Sequence, residues 1–138
     1  MQDRFKFRAW DTFVEKYLKD DDVFKITDGI LDNLYELLIE DNRHFILGKH
    51  DFIFEQCTGL RDENGKLIYE GDILSIEYQS NCDSPKINIY EGNHVEYNEN
   101  QAAYIATTGK QFISLSGLAE NTDLEVIGNI HENPELLG

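Results

Sequence analysis

Residues 58–73 read TGLRDENGKLIYEGDI and carry two turns in quick succession. Asn64-Gly65 is the first. Both residues tolerate positive φ, so the pair closes a tight hairpin between flanking apolar runs. Glu70-Gly71-Asp72 is the second, and Ile73-Leu74-Ser75-Ile76-Glu77-Tyr78 leaves it with a period of two. Leu74, Ile76 and Tyr78 then fall on one face and Ile73 on the other, the pattern of a half-buried strand. Asp62 sits where its carboxylate can accept turn amides ahead of Asn64-Gly65, and Asp72 where it can cap the turn that launches Ile73.

The same grammar continues downstream. Residues 79–85 are polar, contain Pro85 and read as a loop. Lys86–Tyr90, His94–Tyr97, Ala102–Thr107 and Lys110–Leu115 are strand candidates, separated by Glu91-Gly92-Asn93, Asn98-Glu99-Asn100 and Gly109. Leu124–His131 is a last strand interrupted by Gly128, a position that predicts a bulge or a close backbone approach. Pro134 ends central pairing, and Leu136 and Leu137 in the tail are candidates to pack back on the sheet or against a neighbouring subunit.

Upstream, Arg4–Trp10 alternates, with Phe5, Phe7 and Ala9 opposite Arg4, Lys6, Arg8 and Trp10. Asp51–Gln56 is a further strand, and Val23–Ile26 and His44–Leu47 are shorter candidates. Ile30, Leu31, Leu34, Leu37 and Leu38 recur at helical spacing, so residues 28–40 form the one helix candidate, with Thr27 or Asp28 to cap it. The expected fold is mainly β: a small, partly open antiparallel barrel over 51–138 with a C-terminal tail, preceded by an N-terminal strand and short helix over 1–50. Sequential strands are expected to pair with their neighbours.

Of 138 residues, 41% are hydrophobic and 12% aromatic, enough for a core without metals or disulfides. No run of about 18 apolar residues is present, so no membrane helix is expected. Met1–Lys6 lacks the apolar segment of a secretory signal, so a cytoplasmic protein is expected. Cys57 and Cys82 match no metal or redox spacing and are expected as free thiols.

The formal charge is −15 and unevenly spread. Residues 1–50 hold 8 basic and 11 acidic side chains, residues 51–138 hold 4 and 16. Such a surface repels phosphate backbones, so direct DNA or RNA binding is disfavoured. The only basic stripe is Arg4, Lys6 and Arg8, which shares its face with Trp10. These four residues are interaction candidates. Tyr69, Tyr78, Tyr90, Tyr97 and Tyr104 are explained mostly by core packing, with one or two available for a contact.

Chemistry is harder to find. Phosphate-binding glycine loops and the nucleophile elbow are absent, and His44, His50, His94 and His131 lie at no metal-ligand spacing. Asp62, Glu70 and Asp72 near the two turns are the weak candidates for a divalent cation, which would activate water for phosphodiester hydrolysis if they converged. Turn capping explains the same residues more simply.

Three segments carry a family likeness. TGLRDENGKLIYEGDI over 58–73, RFKFRAWD over 4–11 and VIGNIHENPELL over 126–137 resemble signatures of the YopX family of bacteriophages and prophages. The resemblance implies phage provenance and a β-rich fold in a family without an assigned biochemical role. It brings no catalytic residues with it. The expectation is a phage or prophage accessory protein, not an enzyme, that needs no cofactor and acts by binding a host or phage protein, with homo-oligomer formation as a further contact. The alternatives are a DNA mimic inhibiting a host nucleic-acid enzyme, and a divalent-metal-dependent, nuclease-like enzyme.

Overall fold

The computed structural model describes residues 6–18, 52–118 and 122–138. Within them the protein is mainly β, with antiparallel pairing throughout and only short 3-10 turns besides strands. The helix expected over 28–40 and the strands expected over 23–26 and 44–47 lie outside these residues. The chain divides into two compact units, and the division falls inside a strand, between Gln56 and Cys57.

In the unit Lys6–Gln56, β1 (Phe7–Asp11) turns through Thr12–Glu15 into the two-residue β2 (Lys16–Tyr17). Asp11 shapes that turn: its Oδ1 accepts the amides of Phe13 at 2.9 Å and Val14 at 3.3 Å. On its other side β1 pairs with the first half of β3 (Phe52–Arg61), with Ala9 opposite Phe54 and Trp10 opposite Ile53.

The second half of β3 belongs to the unit Cys57–Gly138 and pairs with β4 (Leu67–Tyr69) across the Asn64-Gly65 turn. Gly65 adopts φ +83°, the conformation for which glycine is suited. The resulting four-stranded sheet, in the order β2-β1-β3-β4, is strongly curled and partly open, a half-barrel. Two three-stranded sheets complete this unit. One has β5 (Asp72–Tyr78) between β6 (Ile87–Ile89) and β10 (Thr122–Asn129). The other is a meander of β7 (His94–Asn98), β8 (Ala103–Thr107) and β9 (Phe112–Ser114).

Each expected strand of residues 52–131 is found, but the pairing is not sequential throughout. β5 turns away from β4 and takes β10, from the far end of the chain, as a neighbour. The physical reason lies on the inner face. Leu74 and Ile76 of β5 are buried with Ile68, Val95, Ala106 and Leu115, and Leu124 and Val126 of β10 pack against this cluster. Pairing β10 with β5 brings Leu124 and Val126 onto this cluster and removes their apolar surface from water. Ile73, on the opposite face of β5, is also 1% exposed.

The register of β10 against β5 shifts between Val126 and Gly128, the bulge expected at that glycine. It is also a close approach. A Cβ at Gly128 would lie 2.5 Å from Asn133 Oδ1. Asn133 occupies that space because its Oδ1 accepts the amide of Asn129 at 3.2 Å.

Candidate functional site

The two turns of residues 58–73 place three acids near one another in sequence, and the fold assigns them different tasks. Asp62 is 8% exposed. Its Oδ1 accepts the amides of Asn64 at 2.9 Å and Lys66 at 2.8 Å, closing the hairpin turn. Its Oδ2 accepts the amide of Val126 on β10 at 3.0 Å, a link across 64 residues. Burial alone would raise its pKa. The three amides and the nearby Lys66 outweigh that and hold the carboxyl below its ordinary value. Asp72, 1% exposed, accepts the amide of Tyr69 at 2.8 Å through Oδ2 and closes the second turn. Glu70 is half-buried, and its charge, after burial itself, helps to raise the pKa of Tyr104. No group of three or more His, Cys, Asp or Glu side chains among the described residues is arranged to hold a metal ion.

A residue that periodicity marked only as a turn holds the two small sheets of this unit together. Asn93 is 0% exposed. Its Oδ1 accepts the amide of Leu74 at 3.1 Å, and its Nδ2 donates to the carbonyls of Leu74 at 2.7 Å and Tyr90 at 2.8 Å. The side-chain amide thus stands in for a strand neighbour beside β5. The one sequence signal for it is its position directly after Gly92, in a chain rich in exposed asparagines.

Within the unit Lys6–Gln56, Arg8 and Trp10 of the basic stripe are engaged by neighbouring side chains. Arg8 Nε donates to Glu55 Oε1 at 2.8 Å, and Tyr17 Oη donates to the same oxygen at 2.9 Å. The guanidinium lies 4.8 Å from the centre of the Tyr17 ring, and Trp10 packs edge-on to that ring at 4.9 Å. Trp10 is 7% exposed, so it belongs to packing. Lys6 is exposed, and Arg4 lies outside the described residues.

Among the described residues, most of the exposed acids lie in the unit Cys57–Gly138. One row crosses a whole sheet: Asp123 on β10, Glu77 on β5 and Asn88 on β6 lie directly opposite one another. Two carboxylates facing each other across strands repel. Lys86 relieves them, with Nζ 3.0 Å from Asp123 Oδ2. Its pKa is raised by that hydrogen bond and the charge of Asp123, with smaller help from Glu77 and Glu63. At the other small sheet, His94 Nε2 lies 3.2 Å from Glu96 Oε2, and the exposed Tyr97 meets Tyr104 edge-on at 5.2 Å.

Leu136 and Leu137 sit on the 3-10 turn Pro134–Leu137, each 37% exposed. The tail returns to its own unit: the Leu137 carbonyl oxygen is 3.0 Å from where a Cβ at Gly92 would stand. Cys57 is buried and Cys82 exposed, and no disulfide joins them.

Residues 6–138 match the profile of the family described as YopX protein. The chain belongs to the YopX family. Its signature of turn residues, including Asp62, Gly65, Asp72 and Asn133, coincides with the hydrogen bonds that define this fold. YopX-family membership gives it phage or prophage provenance. A solved structure similar to this YopX-family chain is the crystal structure of protein EF1440 from Enterococcus faecalis. It is 24% identical over 96% of this chain and 97% of that one, with a TM-score of 0.53, and the likeness is one of fold. No curated protein matches the chain.

Proposed function

We propose that this YopX-family chain is a phage accessory protein that acts without catalysis, by binding a protein partner through the anionic surface of the unit Cys57–Gly138. One observation carries the reading. The acids best placed for chemistry, Asp62 and Asp72, are engaged by backbone amides, whereas Glu91, Glu96, Glu99, Glu125 and Glu132 are exposed. The four cations of residues 51–138 leave that surface strongly negative, which favours a basic partner and long-range steering toward it. No helix among the described residues is long and apolar enough to cross a membrane, and we place the encounter in the bacterial cytoplasm.

Affinity capture from host lysate, with a Glu91→Gln/Glu96→Gln/Glu99→Gln variant beside the wild type, tests this reading. A basic protein retained by the wild type, released by salt and lost by the variant is the expected result. Turnover of a substrate by the purified protein, with no partner recovered, would overturn it. A captured nucleic-acid enzyme displaced by DNA would direct the same surface to mimicry. Light scattering on the same preparation reports whether the protein acts as an assembly.

A further inference from the structure

We propose that the outer edge of β6 accepts an extended, alternately basic and apolar segment of a partner protein as an added strand. The inference rests on the anionic-surface reading above and gives it a place and a sequence pattern.

β6 ends its sheet. Ile87, Asn88 and Ile89 pair with Tyr78, Glu77 and Ile76 of β5 on one side, and the order β10-β5-β6 leaves the other side as the sheet edge. Ile87 is 55% exposed, the most open of the exposed large hydrophobics among the described residues. Such an edge presents backbone donors and acceptors to an incoming strand.

The two faces of this edge differ, and the difference specifies what would fit. Successive rows across the sheet alternate sides. Ile87 and Ile89 share the inner face with Tyr78 and Ile76, the side on which the core lies. Asn88 lies on the outer face, in the row of Glu77 and Asp123. A strand laid beside β6 would therefore place apolar residues next to Ile87 and Ile89 and a cation next to Asn88, with Glu77 beyond it.

The reach required is already made by this chain. Lys86, adjoining β6, contacts Asp123 on β10, two strands away, at 3.0 Å. A lysine on a strand beside β6 would stand two strands from Glu77, the same span. Lys86 shows what the row takes, and with Glu63 and Glu77 also near that single ammonium, the row retains negative charge for a second cation. Basic–apolar alternation thus satisfies both faces, whereas an acidic strand would meet Glu77.

The test uses the full chain and a fluorescent, acetylated heptapeptide of alternating valine and lysine. A peptide of the same composition with its valines and lysines in two blocks is the control. Binding is read by anisotropy, and the amides of residues 87–89 by hydrogen exchange. The alternating peptide is expected to bind more tightly than the block peptide and to slow exchange at 87–89. Glu77→Gln, which removes one of two facing carboxylates and leaves Lys86 on Asp123, is expected to weaken it about threefold to fivefold. Absence of binding, equal binding of both peptides, unprotected amides at 87–89 or indifference to Glu77→Gln would each overturn the proposal. Capture of a basic partner alongside any of those results would leave the anionic-surface reading standing and move its contact elsewhere.

Discussion

Glu55 in the unit Lys6–Gln56 and Asp62 in the unit Cys57–Gly138 are buried carboxylates held by different means, while Asp11 of the first unit takes turn amides as Asp62 does. In Lys6–Gln56, Glu55 is 4% exposed and is held by side chains, the guanidinium of Arg8 and the phenol of Tyr17. In Cys57–Gly138, Asp62 is held by backbone amides from the turn it closes and from β10. The cations are unevenly supplied, 8 in residues 1–50 and 4 in residues 51–138. At Asp62 oriented amides satisfy the carboxylate without a cation in hydrogen-bond contact, and the scaffold around it tolerates a strongly negative surface. At Glu55 an ion pair does so, and two otherwise promising interaction residues, Arg8 and Trp10, are taken into packing.

The largest expected effect bears on the first half of that contrast. Glu55→Ala removes the carboxylate oxygen shared by Arg8 Nε and Tyr17 Oη and should lower stability by about 3–5 kcal/mol in urea denaturation. A loss as small as that of an exposed ion pair would show that Glu55 is solvated, and the contrast would disappear.

Asn93→Ala should cost about 2–4 kcal/mol, because both backbone groups of Leu74 and the carbonyl of Tyr90 lose a buried partner. Hydrogen exchange should locate the loss in Leu74–Ile76. Global unfolding without a local signature would mean that Asn93 is not a separate joint between the small sheets.

Asp62→Asn should cost about 1–3 kcal/mol at neutral pH, since an amide nitrogen replaces one acceptor oxygen among three amide donors. The folded-state pKa of Asp62 is lowered, so its ionised form contributes stability above the ordinary carboxyl pKa. That contribution fades as pH falls through the folded value. The gap between wild type and Asp62→Asn should therefore close on acidification, as followed by thermal melts. A gap independent of pH would show that shape rather than charge matters at this turn.

The smallest effect has the opposite sign. Glu77→Gln removes repulsion against Asp123 and should stabilise the fold by about 0.5 kcal/mol at low salt, and by less at high salt. Destabilisation would mean that Glu77 has a structural partner and that the surface charge is not the liability described.

Much of this architecture can be read locally. Asn64-Gly65 as a turn, Leu74 and Ile76 on the core face and a bulge at Gly128 all follow from residues that are neighbours in the chain. The tasks of the acids do not. Asp62 and Glu63 are adjacent and both acidic, yet only Asp62 receives the amide of Val126, while Glu63 stays exposed and donates its own amide to the carbonyl of Leu124. Asn93 looks like any turn asparagine until β5 arrives beside it. Trp10 alternates with cations, but its 7% exposure depends on what packs around it.

By itself, the sequence determined the strands, the turns, the β class, the charge imbalance and the family likeness, because each depends on residues a few positions apart or on composition. Tertiary structure decided that β10 returns to β5, that Asp62 and Asp72 serve the scaffold, and that Asn88 on the edge strand β6 falls opposite Glu77. Those outcomes depend on which distant segments together exclude most water from apolar surface, and periodicity along the chain carries no information about that choice.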